Sequence, residues 1–299
     1  MKFLNILVTG ASGLAGSTVS RALESAGHRI LPLRRLRGPA PTWNPAEGTI
    51  DLGPNPSLDA VIHLAGENVG ARWTAARRRR IRESRVEGTR LLCDALSRLD
   101  PLPRVLICAS AIGYYGDRGE EWVDETSPPG SGFLAGVCRD WEFATAVAES
   151  AGIRVIQLRF GIILAGHGGA LSKMLPAFRL GLGGRLGDGR QYWSWIVMSD
   201  VVRAVEHALN TPALRGPVNV TAPNPATNRE FTAALGRVLG RPAFLPIPGC
   251  AVKLLLGQMG REALLAGVRV RPAKLLAGGF QFQFSDLDSA LRSALGGDL

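Results

Sequence analysis

Short apolar, β-branched runs alternate along the chain with longer stretches whose apolar residues recur every three to four positions. That alternation is the pattern of parallel strands joined by helices that cover both faces of a sheet. Strands are expected at residues 4–9, 29–33, 60–64, 104–109, 155–158 and 217–220, and helices at 14–25, 74–98, 132–151, 171–180, 200–210 and 229–239. Thr227 and Glu230 are spaced as a capping box, in which hydroxyl and carboxylate satisfy the first helical amides reciprocally. Beyond about residue 165 the alternation weakens, and Gly/Pro-rich loops intrude at 166–169, 181–189, 223–225 and 246–249.

The opening Ile6-Leu7-Val8-Thr9-Gly10-Ala11-Ser12-Gly13-Leu14-Ala15-Gly16 reads as strand, glycine-rich turn and helix start. Gly10 permits the tight turn, Gly13 lets a pyrophosphate approach the backbone, and Gly16 lets helix and strand pack closely, while the helix N-terminus supplies amides and the positive dipole end. Ser12 and Leu14 lie in the same cradle. The expected fold is therefore α/β, a Rossmann-type doubly wound parallel sheet with a smaller C-terminal substrate lobe. Residues 1–165 are expected to form the dinucleotide-binding domain, with the chain around 190–222 returning to it, and residues 166–299 mainly the substrate lobe. After the second strand, where a carboxylate ordinarily receives the ribose 2′-hydroxyl, stand Arg34, Arg35 and Arg37. Guanidinium forks suit a 2′-phosphate, so NADP(H) is expected over NAD(H). The small residues of Leu64-Ala65-Gly66 are expected to pass beneath the adenosine, and His63 to be a packed core residue.

Composition narrows the partners. The net charge of +10 invites a nucleic-acid reading, yet the 35 basic residues include only Lys2, Lys173, Lys253 and Lys274 as lysines, an arginine bias spread over the whole chain. The densest run, Arg72 to Arg90, lacks aromatic interleaving and reads as a solvated helix face, so no nucleic-acid partner is expected. Cys93, Cys108, Cys138, Cys250 and the four histidines show no metal-ligand spacing, and a reduced, metal-free, cytoplasmic protein is expected. No apolar run reaches the ~18 residues a spanning helix needs, so neither a signal peptide nor a membrane partner is expected. A homodimer is compatible with the chain, although no exposed apolar stripe fixes an assembly.

Further segments carry a family likeness: Ile81-Arg82-Glu83-Ser84-Arg85-Val86-Glu87-Gly88-Thr89, Ser110-Ala111-Ile112-Gly113-Tyr114-Tyr115-Gly116, Cys138-Arg139-Asp140-Trp141-Glu142, Gly187-Asp188-Gly189-Arg190-Gln191, and Gly279-Phe280-Gln281-Phe282. With the glycine turn they resemble the extended short-chain dehydrogenase/reductases, in the epimerase family branch (NAD-dependent epimerase/dehydratase-like) that carries its own C-terminal domain of unknown function. The resemblance implies hydride transfer assisted by a Tyr, a Lys four residues later, and a Ser or Thr. Here the only tyrosines are Tyr114, Tyr115 and Tyr192, none four before a lysine, and Leu134 and Cys138 fall at the expected Tyr and Lys places. Ser110, Tyr114 and Tyr115 are the remaining candidates for handling a proton, with Tyr115-Gly116 alternatively a structural turn. Cys138 is expected to be a small buried hydrophobe.

In the substrate lobe, Arg190 is a candidate clamp for an anionic or polyhydroxylated substrate. Trp193 and Trp195 are candidate walls, Trp195 alternatively an anchor to the sheet. Asp200 is expected to cap a helix, and Glu120, Glu121, Asp124 and Glu125 to form an exposed loop over the site. Two functions stay open: an NADP(H)-dependent reductase or epimerase of a small carbonyl or sugar-nucleotide-like compound, and a non-catalytic NADP(H)-binding sensor or scaffold.

Overall fold

All six apolar runs expected as strands pair in one sheet, and five of the six helical stretches form as single helices, in the computed structural model, which describes residues 3–35, 38–54 and 56–296. Arg37, one of the three arginines after the second strand, lies outside the described residues. The first half runs β1 (Asn5–Thr9), α1 (Leu14–Ser25), β2 (Arg29–Arg35), β3 (Thr42–Asn44), β4 (Thr49–Asp51), β5 (Ala60–His63), α2 (Ala75–Leu96), β6 (Val105–Ala111), β7 (Trp122–Val123), α3 (Phe133–Phe143), α4 (Ala146–Ser150) and β8 (Arg154–Phe160). The second adds β9 (Ile162–Leu164), α5 (Gly169–Arg179), β10 (Tyr192–Trp193), β11 (Trp195–Val197), α6 (Met198–Asn210), β12 (Gly216–Val220), β13 (Ala226–Thr227), α7 (Asn228–Leu239), α8 (Gly249–Leu256), β14 (Arg269–Val270), α9 (Ala273–Ala277) and α10 (Leu287–Leu295).

The main sheet has the order β12-β8-β6-β5-β1-β2-β3-β4, parallel throughout except for β4 against β3. Strand order reverses beside β1, between β2 on one side and β5 on the other, which opens a crevice at the carboxyl ends of the strands. Alternate residues of β1 face opposite layers, as the two-residue period of a strand requires. Ile6 and Val8 pack with Val19 and Leu23 of α1 and Val201 and Val205 of α6, while Leu7 packs with Leu92 and Leu96 of α2.

A second core gathers Leu171, Leu175 and Phe178 of α5 with Trp193, Trp195, Phe231 and Leu291. Leu275 and Phe280 leave that neighbourhood and join the core of the main sheet, so the chain recrosses after residue 270. The capping box forms: Thr227 Oγ1 accepts from Glu230 N at 3.2 Å, and Thr227 N donates to Glu230 Oε2 at 2.7 Å.

Two expectations change. The single helix expected over 132–151 is divided into α3 and α4, because the buried Thr145 hydroxyl donates to Glu142 O (2.7 Å) and accepts from Gln157 Nε2 (2.9 Å), competing with the helical ladder. Asp200 does not cap α6, which starts after Val197; its buried carboxylate accepts from Gln283 N (3.0 Å) and Phe284 N (3.3 Å) and pins the C-terminal segment.

The arginine run of α2 is largely committed: Arg79 pairs with Glu83, Arg80 with Glu67, Arg82 with Asp140 and Arg90 with Glu87. Among the described residues no helix is long and apolar enough to cross a membrane.

Candidate functional site

The glycine turn lies at the reversal of strand order. Gly10 has φ +68°, and a Cβ there would sit 2.8 Å from Ala65 N, so both backbone conformation and the neighbouring segment require glycine. A Cβ on Gly16 would collide with Gly10 O, which is why helix and turn can close on one another. Gly13 is the N-cap of α1 and provides no side-chain cap, so the first-turn amides, which have no intrahelical acceptor, are directed outward. Ser12 and Gly13 are exposed and Leu14 is half-buried. Leu64–Gly66 passes alongside, tied to β1 by Leu64 N to Thr9 O (3.2 Å) and Ala65 N to Thr9 Oγ1 (3.2 Å). Arg34 and Arg35 are exposed at the end of β2, and neither guanidinium has an ion-pair partner among the described residues.

His63 lies beneath this turn as a core residue. Its Nδ1 meets Thr9 Oγ1 at 2.6 Å and its Nε2 meets Thr89 Oγ1 at 2.9 Å, with Trp43 edge-on to the ring. Burial first, and the Arg85 charge second, lower its pKa from 6.5 to about 3. The unfolded chain takes up this proton near the ordinary value while the folded chain does not. Stability from His63 is thus complete above pH 6.5 and is lost as pH falls toward about 3, by about 1.4 kcal/mol per pH unit at most. Urea denaturation of wild type and His63→Gln at neutral and mildly acidic pH checks this; the variant is expected to show the shallower acid loss.

Beside the turn, at the ends of β5, β6 and β8, opens a cavity of about 650 Å³. Leu134, Cys138 and Trp141 line it from one face of α3, so the places where the resemblance expects Tyr and Lys do face the cavity but hold an apolar group and a thiol. Burial pushes the Cys138 pKa up to about 12, which keeps the thiol neutral. Ser110 and Trp193 also line the cavity. The C-terminal segment supplies its outer wall through Arg261, Glu262 and Val268.

Ser110 is not a free hydroxyl: it donates to Glu142 Oε1 at 2.6 Å. Glu142 is gripped by Arg159, with Nε to Oε1 at 2.8 Å and Nη2 to Oε2 at 2.7 Å, and the Arg159 side chain is only 2% exposed. Arg159 Nη1 donates to the Tyr115 hydroxyl (2.8 Å), which donates to Asn219 Oδ1 (2.7 Å). Tyr115 is 0% exposed, and burial raises its pKa to about 12.

Tyr114 lies under the same guanidinium, 3.5 Å from Arg159 Cζ to the ring centroid. Neither tyrosine is among the residues lining the cavity, because both rings pack against the ion pair behind the wall. Arg190 is exposed on its loop and is likewise absent from the lining, while Trp195 is buried in the second core. Glu125 is no exposed lid: it is buried and accepts from Asn219 N (3.0 Å), Ala273 N (3.2 Å) and Lys274 N (3.2 Å).

Four site-shaping residues are given no site role by the sequence alone. Glu142 and Arg159 meet only through the packing of α3 against β8, Glu262 reaches α3 from far along the chain, and Arg85 turns inward from an otherwise solvated arginine run.

Residues 6–220 match the NAD dependent epimerase/dehydratase family, and residues 247–294 match a domain of unknown function, DUF1731. The chain belongs to the NAD dependent epimerase/dehydratase family. Within it, an epimerase family protein of Mycobacterium bovis is 44% identical over 291 residues, 96% of each chain. The human epimerase family protein SDR39U1 is 35% identical over 294 residues, covering 97% of this chain and 99% of the human one. The crystal structure of the human protein (isoform 2) with NADPH matches 99% of this chain and 100% of that chain, with a TM-score of 0.90 and 34% identity. A UDP-glucose 4-epimerase of Thermus thermophilus, in complex with NAD, shares the fold at 20% identity and a TM-score of 0.72.

Proposed function

We propose that this chain binds NADP(H) on its glycine turn and acts as a reductase or epimerase on a small carbonyl or sugar-nucleotide-like compound held in the adjoining cavity. The observation that carries this reading is the uncapped N-terminus of α1, open at the reversal of strand order and immediately beside the cavity. The residues fit the cofactor: glycines occupy the turn where a Cβ would collide, and two guanidinium groups without ion-pair partners among the described residues stand at the end of β2. The NADPH in the human relative supports the same choice.

The amides around Ser12, Gly13 and Leu14 would hold the pyrophosphate, Arg34 and Arg35 the 2′-phosphate, and Leu64, Ala65 and Gly66 the adenosine side. Residues 1–165 would thus serve the cofactor and residues 166–299 mainly the substrate. When bound, the nicotinamide supplies hydride transfer. Ser110 is the hydroxyl at the cavity wall, held in place by Glu142, and presents its oxygen to the ligand side because its hydrogen is committed. Trp193 and the apolar face of α3 exclude water.

Removing both cations with Arg34→Ala and Arg35→Ala is expected to erode NADPH affinity by about tenfold or more while leaving NADH nearly unchanged, since a charge-assisted hydrogen bond contributes about 1.5–3 kcal/mol. Parallel fluorescence titrations measure it; an unchanged NADPH preference removes the 2′-phosphate assignment. The second reading, a non-catalytic NADP(H) sensor or scaffold, is favoured by Leu134 and Cys138 standing where a proton-transfer pair would be needed. Nicotinamide absorbance followed across a carbonyl panel separates the two: substrate-dependent oxidation of NADPH supports the enzyme, and tight binding without turnover the sensor.

A further inference from the structure

The charged groups of the cavity are unequally committed. Glu262 accepts from Leu134 N (3.0 Å) and Gln258 Nε2 (2.7 Å), and Asp117 accepts from Gly267 N (3.0 Å) and Gly119 N (3.3 Å), so both carboxylates are bound to the protein's own donors. Ser110 has given its hydrogen to Glu142, and the Cys138 thiol is neutral. Arg85 differs. Its Nη1 donates to the carbonyls of Glu67 (2.9 Å) and Ile81 (3.3 Å), while Nε and Nη2 have no hydrogen-bond partner among the described residues and are not among the fully buried atoms. Glu67 acts on Arg85 through space, but its ion pair is with Arg80, at 3.6 Å, and it forms no salt bridge with Arg85.

The guanidinium is also fixed in orientation. Arg85 Cζ lies 5.0 Å from the centroid of the Trp141 ring, which is itself held by Trp141 Nε1 to Thr89 Oγ1 at 2.9 Å. Gly66 lies against it so closely that a Cβ would come within 3.1 Å of Cζ. The cavity wall is otherwise mostly apolar, with Leu64, Val69, Leu134, Val137 and Phe160. A guanidinium cannot shed its charge at neutral pH, and holding one in a largely apolar wall with no directly paired carboxylate is unfavourable unless a ligand supplies the anion. The uncommitted Nε–Nη2 edge is the edge of a guanidinium that grips two oxygens side by side. Arg261, exposed at the cavity wall from the C-terminal segment, adds a second positive charge on the way in.

We propose, resting on the reading of this cavity as the substrate site, that the Nε–Nη2 edge of Arg85 receives a carboxylate of the substrate, which makes the natural ligand a carbonyl compound bearing a carboxylate. Benzoate and its uncharged analogue benzamide serve as probes, titrated calorimetrically into NADPH-saturated wild type, Arg85→Met and Arg85→Lys. Wild type is expected to bind benzoate at least tenfold more tightly than benzamide, Arg85→Met to lose that preference, and Arg85→Lys to keep part of it, with NADPH affinity within about twofold in all three.

Equal binding of the two probes by wild type, or a benzoate preference that survives in Arg85→Met, overturns the assignment. So does a tenfold or greater loss of NADPH affinity in Arg85→Met and Arg85→Lys, which would give the fork to the cofactor. Should wild type take up no NADPH, the reading of the glycine turn fails separately, and the benzoate-to-benzamide ratio on the cofactor-free protein still decides for or against the fork.

Discussion

Gly13→Asp is expected to abolish useful NADPH binding while leaving the fold as stable as before. Gly13 has φ −77° and ψ 172°, extended values open to any residue, and a Cβ there would meet only Gly10 O at 3.2 Å. An Asp at this N-cap would accept from the first-turn amides of α1, and Asp and Gly differ at N-caps by only a few tenths of a kcal/mol. The same carboxylate would stand where the pyrophosphate is proposed to bind. Two like charges about 4 Å apart at an effective dielectric of ~20 repel by about 4 kcal/mol, or roughly a thousandfold in affinity. Fluorescence titration with NADPH and urea denaturation of the same preparation read the two halves; unchanged affinity in a folded variant would remove the glycine turn as the anion cradle. Gly16→Val is the contrasting control, expected to unfold the turn because its Cβ collides with Gly10 O.

The largest expected loss of stability is at Glu142. Glu142→Gln preserves the shape but leaves the Arg159 guanidinium, 2% exposed, without its counter-charge. Removing one partner of a buried ion pair costs about 3–5 kcal/mol, a large share of a typical domain's stability. Adding Arg159→Met is expected to recover part of it, because no uncompensated charge then remains. Equilibrium urea unfolding of wild type, single and double variants measures both effects, and a single-variant loss below about 1 kcal/mol would show that the pair does not need its full charge. Ser110 would move with it, having donated its hydrogen to that carboxylate.

Those two sites also mark where sequence reading succeeds and where it stops. The glycine turn is legible because three glycines, a preceding apolar strand and a following helix are all local, and six of the eight main-sheet strands and five of the six expected helices follow from the apolar pattern. Strands of two residues such as β7, β10 and β14 show no period, yet β7 and β14 pair across the two halves of the chain. The proton-handling candidates Tyr114 and Tyr115 share a segment with Ser110, but the side chains that decide their setting come from elsewhere: Glu142 from α3, Arg159 from β8 and Asn219 from β12. Arg190 looks like a clamp in a Gly-Arg-Gln-Tyr-Trp loop, yet it is exposed outside the cavity, while Arg85 is hidden among neighbours that face solvent or carboxylates. Pairings over such separations are products of tertiary packing, and no local pattern announces them.

The bond from Leu134 N to Glu262 Oε2 spans 128 residues of sequence. During synthesis at ~5–20 residues per second, the amide at the start of α3 is polymerised roughly 6–26 s before the carboxylate that will accept from it. All eight strands of the main sheet and the glycine turn are therefore made before the cavity's outer wall, and Leu275 and Phe280 close the sheet's core only after it. The wall that closes the cavity is thus a late addition to a sheet whose strands already exist.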